Sequence, residues 1–240
     1  MIFELIEDIV KLAFIVASLY LALRFFVRKQ QPVFSESLEK RRVAVLFGLV
    51  LVVLAIKISE DVLGGESGPV DNAILLFIHS NVPEALTPFF AAITFTGSSK
   101  FLFPFTALIT FMLLLARRRS EALLLVVSQI SAALVIVIIK TLVARERPSL
   151  WETEWYWGAS FPSGHTLAVA TFATAAYLCM LKIRPDAQGM IIALATLWIF
   201  LVGLSRLVLG VHWPTDVLAA VCIGTFLPLI IKVVMHLHQP

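Results

Sequence analysis

The chain has 240 residues, of which 60% are hydrophobic and only 15% charged, and its mean hydropathy is +0.95. That apolar share excludes an ordinary water-soluble globule and describes a polytopic membrane protein. The formal net charge is only +3, and no basic stripe interleaved with aromatics occurs, so nucleic acid is not an expected partner.

The N-terminal stretch MIFELIEDIVKLAF opens with acids rather than a basic region, and no small-residue cleavage site follows its apolar run. It reads as a retained helix rather than a cleaved signal. In chain order, the runs expected to span are Ile9–Val27, Val43–Leu63, Phe101–Ala116, Ala122–Lys140, His165–Leu181, Met190–Leu209 and Thr215–Met235. A bilayer core asks for about 17–25 helical residues. The third run is short by that measure and is expected to recruit residues from the preceding TGSSK. Between the second and third runs, residues 71–95 are apolar but carry Pro83, Glu84 and Pro88. Prolines and a carboxylate are costly inside lipid, so one or two short surface helices are expected there in preference to an eighth span, which stays open. The fold class is therefore an all-α bundle of transmembrane helices.

Lys and Arg gather between alternate spans, in RKQQPVFSESLEKRR, in Arg117–Arg119 and in KIRPD at 182–186. By the positive-inside rule these loops are cytoplasmic, with the N-terminus outside and the C-terminus inside. Two loops on the opposite face, RERPSLWETEWYWG and SRLVLGVHWPTD, also carry arginines. Arginines against the topological bias indicate a local function.

On that outer face stand Lys140, Arg145 and Arg147 after the fourth span, Ser163 and His165 opening the fifth, Ser205 and Arg206 ending the sixth, and His212 and Asp216 opening the seventh. Charged groups at membrane depth are expensive, so such a cluster is a functional site by default. Lys140, Arg147 and Arg206 would present three cations to one anion, and the planar fork of arginine suits phosphate oxygens. PSGH opens a helix, and the backbone N–H groups of Ser163, Gly164 and His165 are expected to point at the same anion. The two histidines divide phosphoryl transfer between them: one attacks phosphorus and the other protonates the leaving oxygen. His212 is the expected nucleophile, because Asp216 four residues on can orient its imidazole and stabilise the positive charge, as in a Ser-His-Asp arrangement. His165 is then the general acid and later the base that activates water. No carboxylate cluster suited to a divalent metal is present, and no metal or cofactor is expected.

KTLVARERP, PSGH and SRLVLGVHWPTD together resemble the three signature motifs of the type 2 phosphatidic acid phosphatase superfamily, with Lys140, Arg147-Pro148, Pro162 to His165, Ser205-Arg206, His212 and Asp216 all matching in order. That group of membrane lipid phosphatases shares its site with vanadium haloperoxidases and some soluble acid phosphatases. The resemblance runs from Val43 to the C-terminus and implies a six-span core, residues 43–240, with a metal-independent site at the periplasmic face. Residues 1–42 are then an extra N-terminal transmembrane helix and a basic inner loop. By layout the chain is similar to bacterial phosphatidylglycerophosphate and undecaprenyl-diphosphate phosphatases. The resemblance implies a multi-pass enzyme of the cell inner membrane that hydrolyses lipid phosphomonoesters or diphosphates, among them undecaprenyl diphosphate, phosphatidylglycerol phosphate and phosphatidic acid, through a phosphohistidine. Two other readings stay open: a lipid phosphotransferase, and a non-catalytic anion-binding membrane protein. Oligomeric state is not decided by the sequence.

Other residues have plainer readings. Arg145 and Glu146 read as a solvated pair beside the site without a catalytic role. Trp151, Trp155, Tyr156 and Trp157 read as an interfacial aromatic belt, or alternatively as a lid. His79 reads as interfacial rather than as a ligand, His236 and His238 as tail residues, Lys57 as a snorkelling side chain, and Cys179 and Cys222 as small core residues.

Overall fold

A computed structural model describes residues 2–30, 39–151 and 158–237, and every regular element among them is helical. In order these are α1 (Ile2–Gln30), α2 (Arg42–Leu63), α3 (Gly68–Asn81), α4 (Thr87–Phe95), α5 (Ser99–Leu115), α6 (Arg119–Val143), α7 (Gly164–Ile183), α8 (Gln188–Val208) and α9 (Pro214–Leu237). Single 3-10 turns precede α4 and α8, at Glu84–Leu86 and Pro185–Ala187. Six of the described helices are long and apolar enough to cross a membrane. The remaining expected span, α5, has 17 residues and is short by that test. It starts at Ser99, within the TGSSK stretch it was expected to recruit from, with the Ser98 hydroxyl accepting the Phe101 N–H at 3.3 Å.

The broken segment before it is two helices. α3 ends at Val82, which is extended (φ −98°, ψ 117°), as a residue preceding proline prefers. The chain then bends by 93° into the turn leading to α4.

The chain divides into two compact units, Met1–Lys57 and Ile58–Pro240. In the first, α1 and most of α2 carry apolar side chains that stay exposed, among them Phe14, Leu21, Phe25, Val43 and Phe47, as lipid-facing helices require. An ion pair of 2.6 Å joins Arg24 to Glu39.

In the second unit α7 is the central helix and packs against α6, α8 and α9. Its sequence, GHTLAVATFATAAYLCMLKI, is rich in Ala and Thr, and Leu167, Val169, Ala170, Thr171 and Ala175 are fully buried. Lipid tails are as apolar as leucine, so small residues that admit close backbone approach drive such packing. Ala220 and Gly224, one turn apart on α9, supply the matching face. The Thr171 hydroxyl donates to the Gly224 carbonyl at 3.1 Å, and a Cβ at Gly224 would sit 2.6 Å from the Leu167 carbonyl oxygen. On the other side of α7, Leu102, Leu125, Phe172 and Val202 form the largest apolar cluster, edged by Phe105 and Trp198. Both cysteines are buried free thiols.

α3 packs on α8 and α9, and α4 on α8. These short helices therefore close the same end of the bundle to which α6, α7, α8 and α9 deliver their polar residues.

Gly224→Ala is expected to destabilise the protein by about 1–3 kcal/mol, because a backbone oxygen blocks the added methyl. Gly189→Ala, whose Cβ would meet nothing within 4 Å, is the control. Thermal unfolding in detergent micelles checks the pair; equal melting temperatures would contradict the close α7–α9 approach.

Candidate active site

Four helix ends and two connecting loops build the site. Pro214 begins α9, and its fixed φ suits the first helical position. Asp216 then falls in the first turn, from where its carboxylate reaches back over the loop it has just left. Its Oδ2 lies 3.2 Å from His212 Nδ1 and accepts the Trp213 N–H at 2.9 Å. Because a carboxylate only accepts, His212 carries its hydrogen on Nδ1, leaving the Nε2 lone pair to face Arg147 Nη1 at 3.3 Å. His212 and Asp216 are both buried, at 2% and 0% exposure. Burial pushes the His212 imidazole pKa down to about 3, with Arg206 and Arg147 adding to the effect and Asp216 opposing it. A neutral imidazole that carries its lone pair on Nε2 is the form that can attack an electrophile.

The loop before His212 depends on Gly210, which has φ +65°. Trp151 packs directly on it, with ring atoms 2.7–2.8 Å from where a Cβ would be. Trp151 also stacks on His79, with ring centroids 4.0 Å apart and 15° between the planes. His79 is thus one half of an aromatic stack beside the site rather than a ligand. Trp155, Tyr156, Trp157 and His238 lie outside the described residues.

The cations converge from separate elements. Lys140, in the last turn of α6, donates to the Ala159 carbonyl. Arg147 spends Nε on the Gly158 carbonyl at 3.0 Å and Nη1 on the Val211 carbonyl at 2.7 Å, beside its contact with His212. Arg206, near the end of α8, is 1% exposed and donates to the Thr94 hydroxyl of α4 at 2.6 Å. A guanidinium this deep keeps its charge only where polar groups or a counter-anion replace water. Facing them, α7 starts at Gly164, with His165 half-buried in its first turn. The structure thus gathers Lys140, Arg147, Ser163, Gly164, His165, Arg206, His212 and Asp216 at one end of the bundle.

Two sequence readings are corrected. The Ser163 N–H does not point at an anion; it donates to the Asp216 carbonyl at 3.1 Å, while the Ser163 hydroxyl lies 3.0 Å from that of Thr166. The first-turn N–H groups of Gly164 and His165 have no acceptor within their own helix. Nor is Arg145 a solvated partner of Glu146. It bridges two buried carboxylates, Asp216 Oδ1 and Asp71 Oδ2, at 2.7 Å each. The Ala144 backbone, left-handed at φ +47°, ends α6 and turns the chain that carries Arg145.

Asp71 itself escaped the sequence reading. It stands in the first turn of α3, far from every motif, and it accepts from the Thr215 N–H (3.0 Å) and hydroxyl (2.6 Å) as well as from Arg145. The available signal was a lone carboxylate in an otherwise apolar helix of a membrane protein.

Residues 121–239 match the family model described as the PAP2 superfamily. Over 187 residues the chain is 28% identical to phosphatidylglycerophosphatase B of Bacillus subtilis (strain 168), covering 77% of this chain and 90% of that protein. It superposes with a TM-score of 0.73 and 26% identity on the crystal structure of a transmembrane PAP2-type phosphatidylglycerolphosphate phosphatase from Bacillus subtilis, covering 80% of this chain and 97% of the other. Aquifex aeolicus LpxE is similar at a TM-score of 0.54 and 25% identity, over 67% of this chain and 93% of that one.

The depressed His212 pKa has a stability consequence of definite sign. Between pH 6.5 and about 3 the unfolded chain binds a proton at His212 that the folded chain refuses, so stability falls as pH drops through that window. Replacing His212 by Gln is expected to shrink the loss of melting temperature between pH 7 and pH 5. An unchanged pH dependence in the variant would contradict a neutral, buried His212.

Proposed function

We propose that this chain, whose residues 121–239 match the PAP2 superfamily model and which has six described helices long and apolar enough to cross a membrane, is a lipid phosphatase that hydrolyses phosphomonoesters or diphosphates through a phosphohistidine on His212. The observation that carries this reading is the placement of the buried His212 ring, with Nδ1 on Asp216 and Nε2 on Arg147. A nucleophile oriented at one nitrogen and set at the other against a phosphate-binding cation is what in-line phosphoryl transfer needs.

In this mechanism Lys140, Arg147 and Arg206 take the phosphate oxygens, helped by the first-turn amides at Gly164 and His165. A phosphate oxygen replaces the Nε2 lone pair as the acceptor for Arg147, which leaves that lone pair free to attack. The Nε2–P bond forms as the P–O bond to the lipid breaks, and His165 gives its proton to the departing oxygen. The imidazole now carries positive charge, balanced by Asp216. His165 then takes a proton from water, the oxygen attacks phosphorus, the P–Nε2 bond breaks, and phosphate leaves. Ser163 serves by position: its amide ties the start of α7 to α9 through the Asp216 carbonyl.

The residues around the phosphate seat are cations rather than metal-ligating carboxylates, which supports a metal-independent reaction. The basic loops 117–119 and 182–186, at the ends of α6 and α7 away from the site, together with the basic character of the 28–42 sequence, support a site facing the periplasm from the inner membrane. The relatives named for phosphatidylglycerophosphate support a phospholipid substrate, and the exposed apolar surface of the bundle would let such a lipid approach laterally. Residues 43–240 would form this catalytic core, and residues 1–42 an added span with its inner loop.

The test is phosphate release from phosphatidylglycerophosphate, phosphatidic acid and undecaprenyl diphosphate by the purified protein in micelles, with EDTA present. At least one substrate is expected to turn over undiminished by EDTA, and His212→Ala to abolish turnover with the fold intact. Asp216→Asn is expected to slow it by orders of magnitude, as loss of the orienting carboxylate does in related triads. Hydrolysis by His212→Ala at the wild-type rate would overturn the proposal.

A further inference from the structure

We infer that Asp71 is a positioning residue for the reaction, acting on His212 through Arg145, Thr215 and Asp216; the inference rests on His212 being the nucleophile.

Four charged or chargeable groups form one buried row. Asp71 Oδ2 lies 2.7 Å from Arg145 Nη2, Arg145 Nη1 lies 2.7 Å from Asp216 Oδ1, and Asp216 Oδ2 lies 3.2 Å from His212 Nδ1. Side-chain exposure along the row is 0%, 15%, 0% and 2%. The signs alternate: carboxylate, guanidinium, carboxylate, and an imidazole that becomes positive when phosphorylated. In a site this dry, each neighbour's charge acts with little screening. Without Asp71, the whole charge of Arg145 would bear on Asp216 and weaken its hold on the imidazole. With Asp71 in place, Arg145 is shared between two carboxylates, and Asp216 keeps negative charge for the cation that forms beside it.

The second arm is geometric. Asp71 takes both polar groups of Thr215, the N–H on Oδ1 at 3.0 Å and the hydroxyl on Oδ2 at 2.6 Å. The residue before Asp216 is therefore pinned at backbone and side chain, which fixes the rotation of the first turn of α9 and the direction of the Asp216 carboxylate. Arg145 adds a third tie, donating to the Thr215 hydroxyl at 2.8 Å and to the Ser67 hydroxyl at 3.2 Å. A tether between α3 and α9 alone could be made from neutral hydrogen bonds, without the desolvation cost of a buried carboxylate. The charge is what a tether does not explain.

Arg145 and Thr215 are not among the residues assigned to the phosphate. Loss of Asp71 should therefore slow the chemical step and leave substrate affinity alone. The experiment uses the full-length protein in micelles with phosphatidylglycerophosphate, and compares wild type, Asp71→Asn, Arg145→Gln, the double variant and His212→Ala. Asp71→Asn is expected to lower kcat by roughly tenfold or more, with KM within about twofold. The double variant, in which the row is again balanced, is expected to have kcat no lower than Asp71→Asn alone, a non-additive pair. Thr215→Val removes one donor to Asp71 with little change of shape; it carries the test if Asp71→Asn does not fold, and is expected to lower kcat severalfold at unchanged KM.

Wild-type kcat in Asp71→Asn, or in Thr215→Val where that variant carries the test, overturns the inference. So does a loss that appears in KM, or one that multiplies in the double variant as two independent structural defects would. If His212→Ala is inactive while Asp71→Asn matches wild type, this inference fails and the proposed function stands. If His212→Ala is fully active, both fail.

Discussion

The Asp216 carboxylate, with one oxygen turned toward the His212 imidazole and the other toward the Arg145 guanidinium, is the interaction on which the rest of this end of the molecule depends. One oxygen holds His212 and the Trp213 amide, the other holds Arg145, and the backbone carbonyl of the same residue takes the Ser163 amide. One residue thereby joins the start of α9 to the loop before it, to the segment after α6 and to the start of α7. Loops of this kind carry polar backbone that lipid cannot satisfy. Asp216 takes two of these backbone N–H groups, those of Trp213 and Ser163, from inside the protein, which helps a polar site exist at the end of an apolar bundle.

The helices below are arranged to support that end. α7 is built of small residues, so α9 approaches until the Gly224 backbone meets that of Leu167. Gly203 on α8 lies as close to α9, a Cβ there falling 2.9 Å from the Val217 side chain. Van der Waals contact across small residues holds membrane helices together where no hydrophobic drive operates between them. It also leaves little freedom for the helix ends to shift, and Arg206 and His165, each within a turn or so of such an end, inherit that rigidity. The short helices α3 and α4 then bring Asp71 and Thr94 to Arg145 and Arg206, so the buried charges acquire partners from chain segments that belong to no motif.

Much of this was legible in the residues before any coordinates. Long apolar runs marked the spans because lipid demands length and lack of charge, a one-dimensional requirement. The extension of α5 back into TGSSK and the break of residues 71–95 followed from simple requirements, the length a span needs and prolines that a helix cannot accept. The cluster of Lys140, Arg147, Ser163, Gly164, His165, Arg206, His212 and Asp216 was readable because each group sits at a helix end that the topology sends to one face. His212 and Asp216 were readable as a pair because four residues across a loop and a first helical turn can close on each other. Arg145 was misread because its neighbour in sequence, Glu146, suggested a partner, whereas the αL turn at Ala144 directs the two side chains to different surroundings.

By itself the sequence determined a membrane bundle, which end of it is polar, and which groups could do phosphate chemistry there, since all of these depend on composition, helix period and short spacings. The tertiary structure alone decided the charge row behind His212 and the use of the Ser163 amide. Asp71 and Arg145 are 74 residues apart, and Ser163 meets Asp216 across two helices. Their meeting depends on how closely α3, α7 and α9 pack, a quantity set by small residues throughout the bundle and by no spacing within a motif. The physical reason is that a buried charge is satisfied by whatever packing brings within about 3 Å of it, and packing is a property of the whole fold.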